Sequence, residues 1–162
     1  MTLHELNGLD RDGFVSTIGW VFEHSPWVAE RAWNRRPFAD LADLHDAMTS
    51  EVRAATVEDQ LRLLRAHPEL GTRAKVSQAS ASEQSRAGLD DLSGAESDCI
   101  NALNGAYRDR FGFPFIYAVR GAAKHDILNA LETRLLAEPD AELHNALEQV
   151  FRIARLRLEE ML

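Results

Sequence analysis

The stretch Leu143-His144-Asn145-Ala146-Leu147-Glu148-Gln149-Val150-Phe151-Arg152-Ile153-Ala154-Arg155-Leu156-Arg157-Leu158 has the period of an α-helix. At 100° per residue, Leu143, Leu147, Val150, Ala154 and Met161 fall in one narrow apolar stripe. Arg157 lies inside that stripe, whereas Arg152 and Arg155 lie on the far side. Working outward, the same spacing recurs along most of the chain. Asp10 or Asp12 is placed to cap a helix whose Phe14, Ile18, Val21 and Phe22 share a face, and Pro26 suits the first turn of a short helix carrying Trp27, Val28 and Trp33. Asp40 precedes Leu41, Leu44, Met48 and Val52; Thr56 precedes Val57, Leu61 and Leu64, a run that Pro68 ends. Ser80 with Glu83 and Ser93 with Glu96 both have capping-box spacing. The second pair opens a helix through Ile100, Leu103, Tyr107 and Phe111, with Gly112 as its stop. Two further helices are predicted over 122–137 and 140–160, separated by Pro139.

Only Phe113-Pro114-Phe115-Ile116-Tyr117-Ala118-Val119 looks like a strand. A lone strand has nothing to pair with, so the segment is predicted to be a buried, extended connector. The expected architecture is all-α: one domain over 1–162, a helical bundle of about seven to eight helices with an extended connector near 113–119.

Charge narrows the function. The 162 residues carry 18 Lys and Arg against 26 Asp and Glu, a net charge of −8, and 45% are hydrophobic. That balance suits a folded core and argues against both a basic nucleic-acid face and a polybasic membrane surface. No apolar run reaches the roughly 18 residues of a membrane helix. Cys99 stands alone, so no internal disulfide forms. The opening Met1-Thr2-Leu3-His4-Glu5-Leu6 has neither the basic nor the apolar region of a secretory leader, and the expected location is cytoplasmic. The histidines show no His-x-x-x-His or His-Glu-x-x-His pairing, so no metal site is expected. Gly-rich nucleotide loops and the Gly-x-Ser-x-Gly elbow are also absent.

A few residues break the ordinary helical pattern. Arg157 cannot lose its charge, so on the core side it must snorkel to water, pair with a structural carboxylate, or hold an anionic substrate. The helix alone favours the first two. His67 precedes Pro68, which turns the chain out of the α region at a helix C-terminus, where the negative dipole end favours a charged imidazole. That setting serves a helix-capping histidine or a general acid, and position alone favours the cap. Ser80, Glu83 and Gln84 follow a polar loop spanning 71–82, of the kind that often carries function. Taken alone, they read as a cap and a solvated neighbour.

Taken together, these segments resemble the 2-oxo-4-hydroxy-4-carboxy-5-ureidoimidazoline (OHCU) decarboxylases of urate breakdown. The resemblance lies in His67-Pro68-Glu69-Leu70-Gly71, in Ser80-Ala81-Ser82-Glu83-Gln84 followed by Ala87-Gly88-Leu89, and in Leu103-Asn104 with Tyr107. It continues in Arg110-Phe111-Gly112-Phe113-Pro114-Phe115-Ile116, in Phe22-Glu23-His24-Ser25-Pro26-Trp27, and in Ile153-Ala154-Arg155-Leu156-Arg157-Leu158. The family implies an all-helical homodimer with no metal or organic cofactor, converting the small molecule OHCU to (S)-allantoin and CO2. Carried over by position, it implies His67, Glu83 and Arg157 as catalytic residues. Substrate contacts would come from Pro68, Ser80, Gln84 and the backbone of Phe115, Ile116, Tyr117, Ala118 and Val119. Two other readings remain beside it: a non-catalytic helical protein that binds ureido ligands, and a decarboxylase of a related ureido acid.

Overall fold

Short polar side chains begin the helices by accepting backbone N–H groups that the first turn leaves without partners. Asp10 Oδ1 accepts from Gly13 N at 2.8 Å and Asp40 Oδ1 from Asp43 N at 2.8 Å. Thr56 Oγ1 accepts from Asp59 N at 3.1 Å. Ser93 and Glu96 close a reciprocal box, with bonds of 3.1 and 3.0 Å. The computed structural model describes residues 1–71 and 77–162, and among these the chain has nine α-helices and no strand. They are α1 (Leu3–Asn7), α2 (Arg11–Ile18), α3 (Trp27–Ala32), α4 (Leu41–Ala54), α5 (Val57–Arg65), α6 (Gln78–Arg86), α7 (Gly94–Phe111), α8 (Lys124–Leu135) and α9 (Pro139–Met161). Two short 3-10 turns, Gly19–Val21 and Trp33–Arg35, link the early helices. No described helix is long and apolar enough to cross a membrane.

The all-α expectation holds, with local differences. Ser77, not Ser80, caps α6: its Oγ accepts from Ser80 N at 3.1 Å. The helix therefore begins three residues earlier than the Ser80–Glu83 spacing suggested, and both residues project from within it. α1 escaped the sequence reading because five residues are too few to show a period, although Thr2 and Glu5 form a full capping box. Gly112 ends α7 in the left-handed region, at φ 78°, as its position foretold.

The described residues form two compact units: Met1–Ala66 with Val150–Leu162, and His67–Gln149. In the first, α3 packs on α2 and α4. Phe14, Ile18, Leu44, Met48, Ala154 and Leu158 are fully buried there, so the α9 stripe from Val150 onward does face a core. In the second, α7 lies along α8, with Ile100, Tyr107, Ile127 and Leu131 fully buried. Residues 114–119 have no regular secondary structure, and all but Tyr117 are buried. The connector foreseen near 113–119 is thus irregular and buried. An aromatic cluster anchors it: Phe115 meets Tyr107 edge-on at 5.5 Å and stacks on Tyr117 at 6.0 Å. Each such aromatic contact adds about 0.5–1.5 kcal/mol beyond area burial.

Candidate functional site

Most of the candidate residues lie in the unit His67–Gln149. Helix α5 ends at Arg65 with Ala66 as its cap, and His67 follows immediately, 8% exposed. Three side chains then fix the segment that carries it. Arg108 on α7 forms an ion pair with Glu69, Asn104 Nδ2 on α7 donates to Leu70 O at 2.9 Å, and Gly71 N donates to Gln84 Oε1 at 3.0 Å. Gly71 sits at φ +75°, and a Cβ there would stand 3.0 Å from Ile100 Cδ1. Only glycine satisfies both the left-handed turn and that close approach. The backbone just beyond His67 is thus held by α6 and α7 rather than left to a loose loop.

On α6, Ser80 and Gln84 are buried four residues apart, and Glu83 beside them is half-buried. One turn of helix therefore presents all three on adjoining positions of one face. Gln84 uses its amide oxygen to hold Gly71. Its NH2 end adds two donors, and the amide oxygen keeps a second lone pair. Of the loop foreseen over 71–82, Gln78 onward is helical, and residues 72–76 lie outside the described residues.

The connector is braced from two helices. Arg134 on α8 donates through Nη1 to Ile116 O at 2.5 Å, and its guanidinium lies 4.5 Å from the centre of the Phe115 ring. The same guanidinium donates through Nε to Glu142 Oε1 at 2.7 Å, and Glu142 is fully buried. Ala118 N donates to Gln149 Oε1 at 2.9 Å. Burial pushes the Tyr107 phenol above its ordinary pKa; nearby Arg134 opposes the shift and Glu142 adds to it. Tyr107 is a neutral phenol throughout the physiological range.

A cavity of about 240 Å³ has Glu83, Arg86, Val119, Arg120 and Gly121 in its walls. It brings the α6 carboxylate together with the end of the connector, two features that the sequence singled out separately. Arg86 and Arg120 are additions the sequence reading did not foresee. Among the described residues no three His, Cys, Asp or Glu side chains are placed to hold a metal ion.

Arg157 belongs to the other unit. It is 2% exposed and donates through Nη2 to Glu23 Oε2 at 3.0 Å and through Nη1 to Val21 O at 3.2 Å. Glu23 is itself 1% exposed. Arg152 is exposed, and half-buried Arg155 pairs along its own helix with Glu159 at 2.8 Å. The helical count set Arg157 apart from the other two arginines, and of the partners open to it the structure shows a structural carboxylate, Glu23, which the count could not name. Glu23 lies within the family-like segment Phe22–Trp27. Arg134 and Glu142 carried no sequence signal, because each is an isolated charge in an amphipathic helix whose partner sits on another helix.

Comparison with known proteins places the whole chain. Residues 7–159 match the sequence model of the family described as OHCU decarboxylase, a span that takes in both units. A 2-oxo-4-hydroxy-4-carboxy-5-ureidoimidazoline decarboxylase of Haloferax volcanii is 46% identical over 160 residues, covering 99% of this chain and 95% of that protein. The uric acid degradation bifunctional protein PucL of Bacillus subtilis is 47% identical over 161 residues, but this chain spans only 33% of it. Among solved structures, an (S)-allantoin synthase superposes with a TM-score of 0.82 at 36% identity, covering 99% of this chain and 54% of that one.

Proposed function

The chain belongs to the OHCU decarboxylase family, and from that premise we propose that it decarboxylates OHCU to (S)-allantoin in urate breakdown, as a cytoplasmic homodimer without metal or organic cofactor. The substrate carries its own electron sink. Its carboxylate sits on a carbon that also bears a hydroxyl and adjoins a C=N bond. When the C–CO2 bond breaks, its electron pair forms a C=C bond to the neighbouring carbon while the imine nitrogen takes a proton. A proton then adds to that neighbouring carbon, the hydroxyl proton leaves, and the enol becomes the carbonyl of allantoin. The protein has to orient the ring, place charge, and deliver one proton to one face.

His67, on its clamped turn, is the acid/base at the hydroxyl and carboxylate end. Glu83 orients the imidazole or accepts the ureido N–H groups, while Gln84 and Ser80 hold polar atoms of the ureido arm and the ring, with Pro68 beside them. The backbone of Phe115–Val119 reads the flat ring edges, since extended backbone offers N–H and C=O groups that a helix uses internally. Arg157 supplies a rigid two-pronged donor for an anionic oxygen; this role rests on its charge and on the family resemblance.

One observation carries the reading: family likeness extends over 99% of the chain and most of the length of its relative, and the unit that begins at His67 also holds the buried Ser80 and Gln84, Glu83 and the braced connector. To test it, OHCU is generated in place from urate and the circular dichroism of the product is followed with and without the protein. The reading predicts rapid appearance of optically active (S)-allantoin. Racemic product at the spontaneous rate would reject it and favour a ureido-binding protein or a different ureido acid as substrate.

A further inference from the structure

The molecule has a net charge of −8, yet the substrate just proposed is an anion, so its approach is opposed by the average field of the protein. The cavity that holds Glu83 departs from that average. Two of its wall residues, Arg86 at the end of α6 and Arg120 at the end of the connector, are cations, and both are exposed to solvent. They arrive from different elements. Arg86 follows Glu83 by three residues, so it projects from nearly the same side of α6. Arg120 follows Val119 directly and precedes Gly121, whose φ of +78° turns the chain away.

We propose that Arg86 and Arg120 form an electrostatic mouth that captures the substrate's carboxylate before decarboxylation. This rests on the decarboxylase function proposed for the chain and deepens it by naming the residues that set affinity for the charged substrate. Guanidinium groups are suited to such capture because they stay charged at all working pH and match a carboxylate with paired N–H donors. Their exposure makes the effect one of capture rather than of chemistry. It is felt in KM and in the encounter rate, and it is screened when the Debye length falls from roughly 10 Å at 0.1 M salt to about 3 Å at 1 M. The reaction also supplies its own contrast. The product has lost the carboxylate and is neutral, so the two arginines favour substrate over product.

The test uses the full chain with freshly generated OHCU at low and high salt. R86Q and R120Q should each raise KM by about three- to tenfold at low salt while leaving kcat within about twofold. The double variant should flatten the salt dependence of kcat/KM. Binding of (S)-allantoin, measured by calorimetry, should be the same in wild type and variants. R152Q removes one charge at a residue outside the cavity wall and should leave KM unchanged. Unaltered KM and an unaltered salt slope in the double variant, in the face of an active wild type, would overturn the proposal and leave the decarboxylase reading standing. An equal loss of affinity for neutral allantoin would also overturn it, because the arginines would then be reading the ring. An inactive wild type would refute the function itself, which is a separate result.

Discussion

Arg157 with Glu23 in the first unit and Arg134 with Glu142 in the second are physically alike. Each joins a buried or nearly buried guanidinium to a carboxylate with 1% exposure or less, through a bond of 3.0 or 2.7 Å. Each arginine also donates to backbone carbonyls, of Val21 in one case and Ile116 in the other. The functional reading nevertheless gives them opposite duties: Arg157 contacts substrate, and Arg134 props the backbone that contacts substrate. Under the proposed roles, burial and pairing alone do not distinguish a catalytic arginine from a structural one. In both pairs desolvation costs offset much of the Coulomb attraction, while removing one partner strands a buried charge.

Replacing both partners separates the two duties and should change activity most. R157M with E23L, an apolar pair in place of the ionic one, should fold with near-wild-type stability by urea titration, yet lose about 10²-fold or more in kcat/KM, as expected when an oriented donor to an anionic oxygen is removed. R134M with E142L should recover stability in the same way and lose only a few-fold, through a looser Ile116 carbonyl. If the first double variant retained full activity, Arg157 would be structural and the two pairs would have the same duty after all. Next in size are the single changes that strand a charge. E23A and E142A should each cost about 3–5 kcal/mol in denaturant unfolding; a cost near zero for either would mean that water reaches its arginine.

Within the second unit, Gly71 separates packing from chemistry. G71A forces a side chain into a left-handed turn and against Ile100, and should cost about 1–2 kcal/mol. Because this turn follows the His67 segment, kcat should fall along with the melting temperature. A stability loss with kcat untouched would detach the clamp from the chemistry.

A half-buried pair away from the candidate site should matter least. Lys124 Nζ donates to Glu96 Oε1 at 2.9 Å, and with the Ser93 backbone N–H it lowers the Glu96 carboxyl from 4.5 to about 2. A depressed carboxyl stabilises the fold above its unfolded pKa, and that contribution disappears as pH falls from about 4.5 to about 2. E96Q keeps the cap but removes the titration. Its unfolding midpoint should therefore depend less steeply on pH across that window than that of wild type.

The helices were largely legible because their signals are local. Asp10, Asp40, Thr56 and Ser93 sit next to the backbone groups they cap, and the Arg157 stripe needs only one helix to be seen. The same locality explains the shifted start of α6, where two serines three residues apart, Ser77 and Ser80, both had cap chemistry. The props of the site were not legible. Arg134–Glu142, Asn104–Leu70 and Gln149–Ala118 join residues 8, 34 and 31 positions apart across separate elements. No periodicity encodes such pairs, since long-range packing selects them. Arg86 and Arg120 escaped for a related reason: each looks like any surface arginine until the fold sets both in one cavity wall.

The decisive measurement is the steady-state rate of His67→Ala on freshly generated OHCU, read as optically active allantoin. Unfolding of the same sample is measured in parallel to show that the clamped turn survives. With His67 as the acid/base, the rate falls by about 10²–10⁴ in a protein that remains folded. A folded His67→Ala variant that makes (S)-allantoin at the wild-type rate would contradict that assignment.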